Sequence, residues 1–426
     1  MVKSLLQIFF LTFLVVHLAL SQEDSNRVDL DQLIAEALKN NPGLHAKAAK
    51  VESDSARISV TGSLPDPVFG FSLLNVPVNS FSFKQEPMTG KQFSLRQQFP
   101  FFGTLGQKEE VVSYEAQASM EDYYEFRNRL VRDVKSLFYD LSYVDAGIDI
   151  TFEKESLMKS LVAVVQTKYS VGKGLQQDVL KAQVELSRII EERINFKRQR
   201  QKVVAALNGL LNRSPQTVFA RAPELKFKPI VFNPESLTET AKERRPLLKK
   251  KRLLIARSIA DISFSKKKYG PDMSAFIAYT QRDELDNGLP GYDFLSGGVT
   301  LSIPLYAGSK QSKDVDRTLA NKKQAERNYE NSLSALLADL EQTQAELNRN
   351  DELVDLYRTG ILPQARQALE SAITGYQTDR VDFITLLSNY ITLFKLELLD
   401  QRNVTNYYKS MAQLDFLAGT EFRIKN

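Results

Sequence analysis

The sequence predicts a mainly helical chain with a small β part, built as two copies of one unit: a strand pair and a very long helical hairpin. The first observation is a repeated corner. "LRQQFPFFGTLGQK" (95–108) and "VTLSIPLYAGSKQSK" (299–313) each pass from an alternating apolar segment, through a proline and a glycine, into a long helical pattern. The second is a fixed offset. Pro100 and Pro304 lie 204 residues apart, and "DQLIAEALKNNPGL" (31–44) matches "ESLTETAKERRPLL" (235–248) at that same spacing, Leu33 with Leu237 and Pro42 with Pro246. The third is that the offset changes only once, to 207, pairing Tyr169 with Tyr376 and Leu207 with Leu414. A repeat this long and this regular marks duplicated architecture.

The chain divides into a signal (1–21), a first repeat (22–212), a linker (213–235) and a second repeat (236–426). Lys3, the apolar run "LLQIFFLTFLVVHLAL" (5–20) and the small residues Ala19 and Ser21 read as a cleavable secretory signal. That run falls short of the roughly 20 residues that span a bilayer. No Cys follows it, so neither a lipidated N-terminal cysteine nor a disulfide is expected.

Asp29 with Gln32 predicts a capping box for the first helix, and Asn41-Pro42 stops that helix and starts the next. In "KQFSLRQQF" Phe93, Leu95 and Phe99 alternate with polar residues, the period-2 pattern of a sheet with one wet face; Gln97 is its one polar break. "PVFGFSLL", "MSAFIAYTQ" and "GGVTLSIPLY" supply three more strands, rich in aromatic and β-branched residues. From Gly106 to Tyr169 there is no Pro, and Leu130, Val134, Leu137, Leu141, Val144 and Ile148 form a coiled-coil seam. Leu333, Leu337, Leu340, Leu347 and Val354 repeat it, with Gln344 and Asp351 as polar gaps. Such a helix reaches roughly 95 Å, more than a globular domain uses. The linker holds four prolines and reads as a cap rather than a domain boundary.

Removing the signal takes away Lys3 alone, so the net charge moves from +4 to +3, and no electrostatic case for nucleic acid remains. "KERRPLLKKKRLL" (242–254) and "KKK" (266–268) read as a solvated helix face, with an anionic lipid contact near the strand end as the other reading. Two His, one of them in the signal, and no Cys give no transition-metal set; His45 is placed on a helix face. No phosphate loop, nucleophile elbow or paired-His motif is present, so neither enzymatic activity nor a cofactor is expected.

Alternating strands of about ten residues fit an outer membrane, but four strands leave two open edges, and membrane barrels need about eight or more. A soluble four-stranded sheet on a helical stalk fits the same alternation, and a periplasmic coiled-coil scaffold or adapter without a pore is the alternative function.

"LIAEALKNNPGLHAKAAKVESDSARI", the two corners, "YSVGKGLQQDVLKAQVEL" and "ILPQARQALESAITGYQTDRVDFITLL" resemble the TolC-like outer-membrane efflux proteins, over residues 28 to 420. The resemblance implies a homotrimer with a twelve-stranded outer-membrane β-barrel continuous with a periplasmic α-helical tunnel. It implies a passive outer-membrane duct, contact with outer-membrane lipid, and a periplasmic adapter and an inner-membrane pump as partners. "QFPFFGTLGQKEEVVSYEAQ" resembles the branch that serves heavy-metal efflux pumps, although packing constrains a corner more than cargo does.

Two turns are the candidate functional sites. "YSVGKGLQQD" (169–178) offers Val171, Gly172, Lys173, Gly174 and Asp178; Gly172 and Gly174 permit a tight reversal, and Asp178 is placed to cap or charge-pair. "YQTDRVDFIT" (376–385) offers Asp379, Arg380 and Asp382. The resemblance implies that these tips form the periplasmic gate and dock the adapter. In the second tip Asp379 stands where glycine is usual, and Thr385 and Ser388 occupy the positions of the family's carboxylate ring. Pro100, Gly103, Pro304 and Gly308 are the expected strand-to-helix corners.

Overall fold

The alternating segments form one sheet. In the computed structural model, which describes residues 28–229 and 234–420, β1 (Val68–Leu74), β2 (Gly90–Phe99), β3 (Asp272–Gln281) and β4 (Phe294–Ser302) pair antiparallel in the order β1-β2-β3-β4. The expected signal, residues 1–21, lies outside the described residues.

Register assigns the faces. Phe69, Leu95, Ile277 and Gly297 lie abreast, as do Phe71, Phe93, Tyr279 and Leu295. That face is apolar yet bare: Leu295 is 73% exposed, Phe69 68% and Val299 63%. Phe93 holds it together by packing on Phe71, ring centroids 5.2 Å apart. Gln97, its polar break, donates to the carbonyl oxygens of Pro65 at 2.8 Å and Gln98 at 2.9 Å, so its amide is satisfied. The opposite face carries Ser72, Gln92, Ser94, Ser274, Thr280 and Ser296. Phe93, Leu95 and Phe99 share the apolar face, as their spacing predicts.

The sheet belongs to one of two compact units, residues 47–123 with 246–333. The same unit holds α6 (Pro246–Lys267) and parts of α2 (Pro42–Gly62), α3 (Thr104–Ser170) and α7 (Gln311–Leu356). Charge pairs join them: Asp122 accepts from Lys47 and from Lys250 (2.5 Å), and Glu115 from Arg57 and from Arg257 (2.8 Å). Within the basic stretch itself, Lys250 thus pairs with an acid of α3, and Lys268 pairs with Asp314 of α7 at 2.9 Å.

The other unit comprises, among the described residues, 28–46, 124–229, 234–245 and 334–420. It contains α1 (Leu30–Asn40), α4 (Gln176–Leu210), α5 (Pro234–Arg244), α8 (Leu362–Gln377), α9 (Phe383–Ala418) and the remainder of α3 and α7. Asp29 caps α1 by accepting from the Asp31 N–H at 3.1 Å; the reciprocal bond expected from Gln32 is not formed. Asn41 ends α1 and starts α2, accepting from the Leu44 N–H at 3.1 Å. The linker packs on the helices: Ser142 donates to the Pro223 carbonyl (2.6 Å), Tyr408 to that of Lys226 (2.6 Å), and Phe227 meets Tyr407 edge-on.

The first seam stands, with Leu130, Val134, Leu141 and Val144 buried. The second keeps Leu340, Leu347 and Val354 as expected, but one other position shifts by one residue, from Leu337 to Leu336. Leu336, Leu340, Leu347 and Val354 are buried, and Leu337 is 37% exposed. Thr343 and Asn350, rather than Gln344 and Asp351, fill the polar steps. Thr343 buries at little cost because its hydroxyl donates to the Asp339 carbonyl of its own helix at 2.7 Å. Between α7 and α8 one π turn, Tyr357–Ile361, takes up an extra residue.

Candidate functional site

Both hairpin tips are the same turn made with different residues. In the first, α3 ends at Ser170 and α4 begins at Gln176. Gly172 holds φ +73°, the Gly172 N–H donates to the Tyr169 carbonyl (3.0 Å), and the Lys173 N–H reaches back to that of Lys168 (2.8 Å). Gly174 is required for a different reason: a Cβ there would sit 3.1 Å from the Tyr169 amide nitrogen. In the second tip Asp379 takes the left-handed place at φ +58°, and the Arg380 N–H donates to the Gly375 carbonyl at 2.8 Å. The offset of 207 maps Gly172 onto Asp379 and Lys173 onto Arg380.

The caps differ. Asp382 caps α9 by accepting from the Thr385 N–H at 2.8 Å, and Thr385 holds its carboxyl below the usual carboxylate range. At the matching position α4 has Leu175, which offers no side-chain cap. Asp178 therefore does not cap. It sits in the first turn of α4, where its charge faces the positive end of the helix dipole.

Lys168 joins the tips, and sequence reasoning missed it. Its ammonium donates to the Tyr376 carbonyl (2.8 Å) and to the Asp379 carboxylate (2.5 Å), and lies 4.2 Å from the centre of the Tyr376 ring. This bond holds Asp379 below the ordinary carboxylate value, whereas burial raises the Tyr376 phenol. Nothing in the local pattern marks Lys168, because its partners lie more than 200 residues away. Behind the tips, Val165, Val179, Leu369, Tyr376, Phe383 and Leu386 form one apolar core. Val171 and Leu175 are left bare at the surface.

The strand-to-helix corners are less alike than their sequences. After Pro100 the turn is short: Gly103 holds φ +75°, and Phe101 donates its N–H to Asp272 at 2.9 Å. After Pro304 the turn runs longer, α7 starting only at Gln311. Gly308 aligns with Thr104, not with Gly103, and has no left-handed role. The second corner is closed by Tyr306, whose carbonyl accepts from the Ser309 (3.1 Å) and Lys310 (2.8 Å) N–H groups.

His45 is exposed, with its ring Nε2 2.8 Å from the Lys39 carbonyl oxygen. Among the described residues no group of His, Cys, Asp and Glu is placed to hold a metal ion. No helix among them is long and apolar enough to cross a membrane.

Comparison with known proteins agrees with this architecture. An uncharacterised protein of Haemophilus influenzae is 20% identical over 319 residues, 73% of this chain and 69% of its own length. The outer-membrane channel CmeC of Campylobacter jejuni superposes with a TM-score of 0.78 at 15% identity, over 93% of this chain and 87% of CmeC. The outer membrane protein VceC of Vibrio cholerae gives 0.77 at 17% identity, over 92% of this chain and 97% of VceC. The family model described as outer membrane efflux protein matches residues 33–213 and 237–382, both repeats, and so the chain belongs to the outer membrane efflux protein family.

Proposed function

We propose that three copies of this chain close their sheets into a twelve-stranded outer-membrane barrel, continued by the helical hairpins as a tunnel into the periplasm. The duct is passive; an inner-membrane pump and a periplasmic adapter drive and load it. The observation that carries this reading is the sheet: a bare apolar face against a polar one, with β1 and β4 as open edges. Lipid favours the first face, and lipid does not tolerate unpaired edges. Copies of the same sheet would satisfy both conditions, and twelve strands enclose a conduit where eight would be filled by side chains.

The tips serve as periplasmic gate and adapter dock in this reading. Support comes from Val171, Gly172, Lys173 and Gly174 at the first, from Asp379, Arg380 and Asp382 at the second, and from bare Val171 and Leu175 beside the Lys168 tie. Asp178 contributes charge near the turn.

Fractionation tests the assembly. The protein should require detergent for extraction from outer membranes and run as a trimer that survives mild SDS. Recovery as a soluble periplasmic species would remove the duct and leave a coiled-coil scaffold.

A further inference from the structure

One register row on the polar face differs from the rest. Val68, Arg96, Phe276 and Gly298 lie abreast across the four strands. Phe276 lies over Gly298, where a Cβ would come within 2.7 Å of the ring, and the Arg96 guanidinium carbon stands 5.8 Å from that ring's centroid. The glycine makes room for the ring, and the ring supports the cation at mid-strand on a face whose other charged strand residue is Asp272 at its foot. Arg96 is exposed.

Two acids in or beside the strands are engaged elsewhere. Asp272, at the foot of β3, accepts from the Phe101 N–H at 2.9 Å. Asp283 pairs with Lys91 at 3.3 Å. A second arginine, Arg282, lies over Phe294 at 4.7 Å, but Asp293 accepts from its own N–H at 2.9 Å and offsets its field. Among the described residues Arg96 enters no ion pair.

We propose that Arg96 is a selectivity residue of the duct, a fixed cation that favours anionic over cationic solutes moving along the sheet's polar face. This rests on the reading of that face as the wetted wall of a multi-copy barrel, in which each copy adds one arginine at the same level. The walls exclude solvent on one side, so the field of such a ring is felt by any solute passing between them.

The chain contains no cysteine, so Ser94→Cys places a single thiol about 7 Å along the strand from Arg96 on the same face. Two methanethiosulfonate reagents of similar size, one a sulfonate and one a trimethylammonium, are applied to outer membranes at low salt. Each rate is divided by the reagent's rate with free 2-mercaptoethanol. The sulfonate should be favoured by about five- to tenfold, and the preference should shrink in high salt. It should fall to about one in Ser94→Cys with Arg96→Gln and reverse with Arg96→Glu, at equal levels of assembled protein. Labelling by both reagents with a ratio that Arg96→Gln does not change would overturn the role of Arg96 and leave the duct intact. A thiol at Ser94 that neither reagent reaches, with Leu95→Cys labelled instead, would overturn the assignment of the faces and the selectivity with it.

Discussion

Gly172 and Asp379 occupy the same left-handed place in two copies of one turn, and they meet its demand differently. Around Gly172 an added Cβ would touch nothing within 4 Å, so a substitution there is strained by backbone conformation alone. Gly172→Ala should cost about 1 kcal/mol and Gly172→Val more, both confined to the tip. We expect Gly172→Val to assemble at wild-type levels in the outer membrane yet fail to restore toxicant resistance to a strain lacking the protein. Periplasmic crosslinking through a cysteine at Val171 or Lys173 should weaken as well. Full resistance with unchanged crosslinking would make the turn a mere connector. Asp379 bears the same conformation with a side chain, and its bond to Lys168 returns part of that strain.

Asp314 offers a second test, this time in pH. It sits in the first turn of α7, bonded to Lys268 (2.9 Å), Ser265 (3.0 Å) and Arg317 (2.8 Å). Lys268 foremost lowers its pKa from 3.8 to about 2. A depressed carboxylate contributes stability that is complete above its unfolded value and is lost as pH falls through its folded one. Asp314→Asn should therefore lower thermal stability in detergent by about 1 kcal/mol at pH 7, the partly solvated site screening the rest. The gap to wild type should close between about pH 4 and pH 2. A gap that persists at pH 2 would mean that shape rather than charge matters at this position.

The strands carry the sharpest prediction about an element. Leu95 lies between Phe69 and Ile277 on the apolar face, near the middle of β2, so Leu95→Arg should cost roughly 2–4 kcal/mol in the bilayer and reduce assembly. Ser94→Arg, one residue away on the polar face, should assemble normally. Equal yields of the two variants would deny the difference between the faces. Here the sequence was legible because a period of two needs no partner to be read, and β2 shows it almost without interruption. The first helix seam was legible for the same reason. In the second, Leu340, Leu347 and Val354 were legible and Leu336 was not: Leu336 and Leu337 are adjacent, either one completes a heptad, and only packing chooses between them. Gly308 misled because a shared proline fixes where a strand ends, not how many residues the following turn uses. Lys168 was invisible since a clasp between two hairpins has no local pattern. What is periodic or repeated could be read; what depends on distant pairing could not.

The two repeats are successive in the chain, but each compact unit draws residues from both. Neither repeat supplies a sheet that is closed: β1 and β4 end it with unpaired backbone on both sides. Those edges have a consequence in genetics. A protomer that requires a neighbour on each side cannot be defective in private, since a variant with intact strands still takes its place among normal copies. Export-dead alleles altered only at the tips should thus be dominant. With equal expression of Gly172→Val and wild type, about one assembly in eight would be wholly normal in a ring of three. Alleles such as Leu95→Arg, whose copies assemble poorly, should be largely recessive. Resistance measured in merodiploid cells separates the two classes, and recessive behaviour of both would show that copies do not mix.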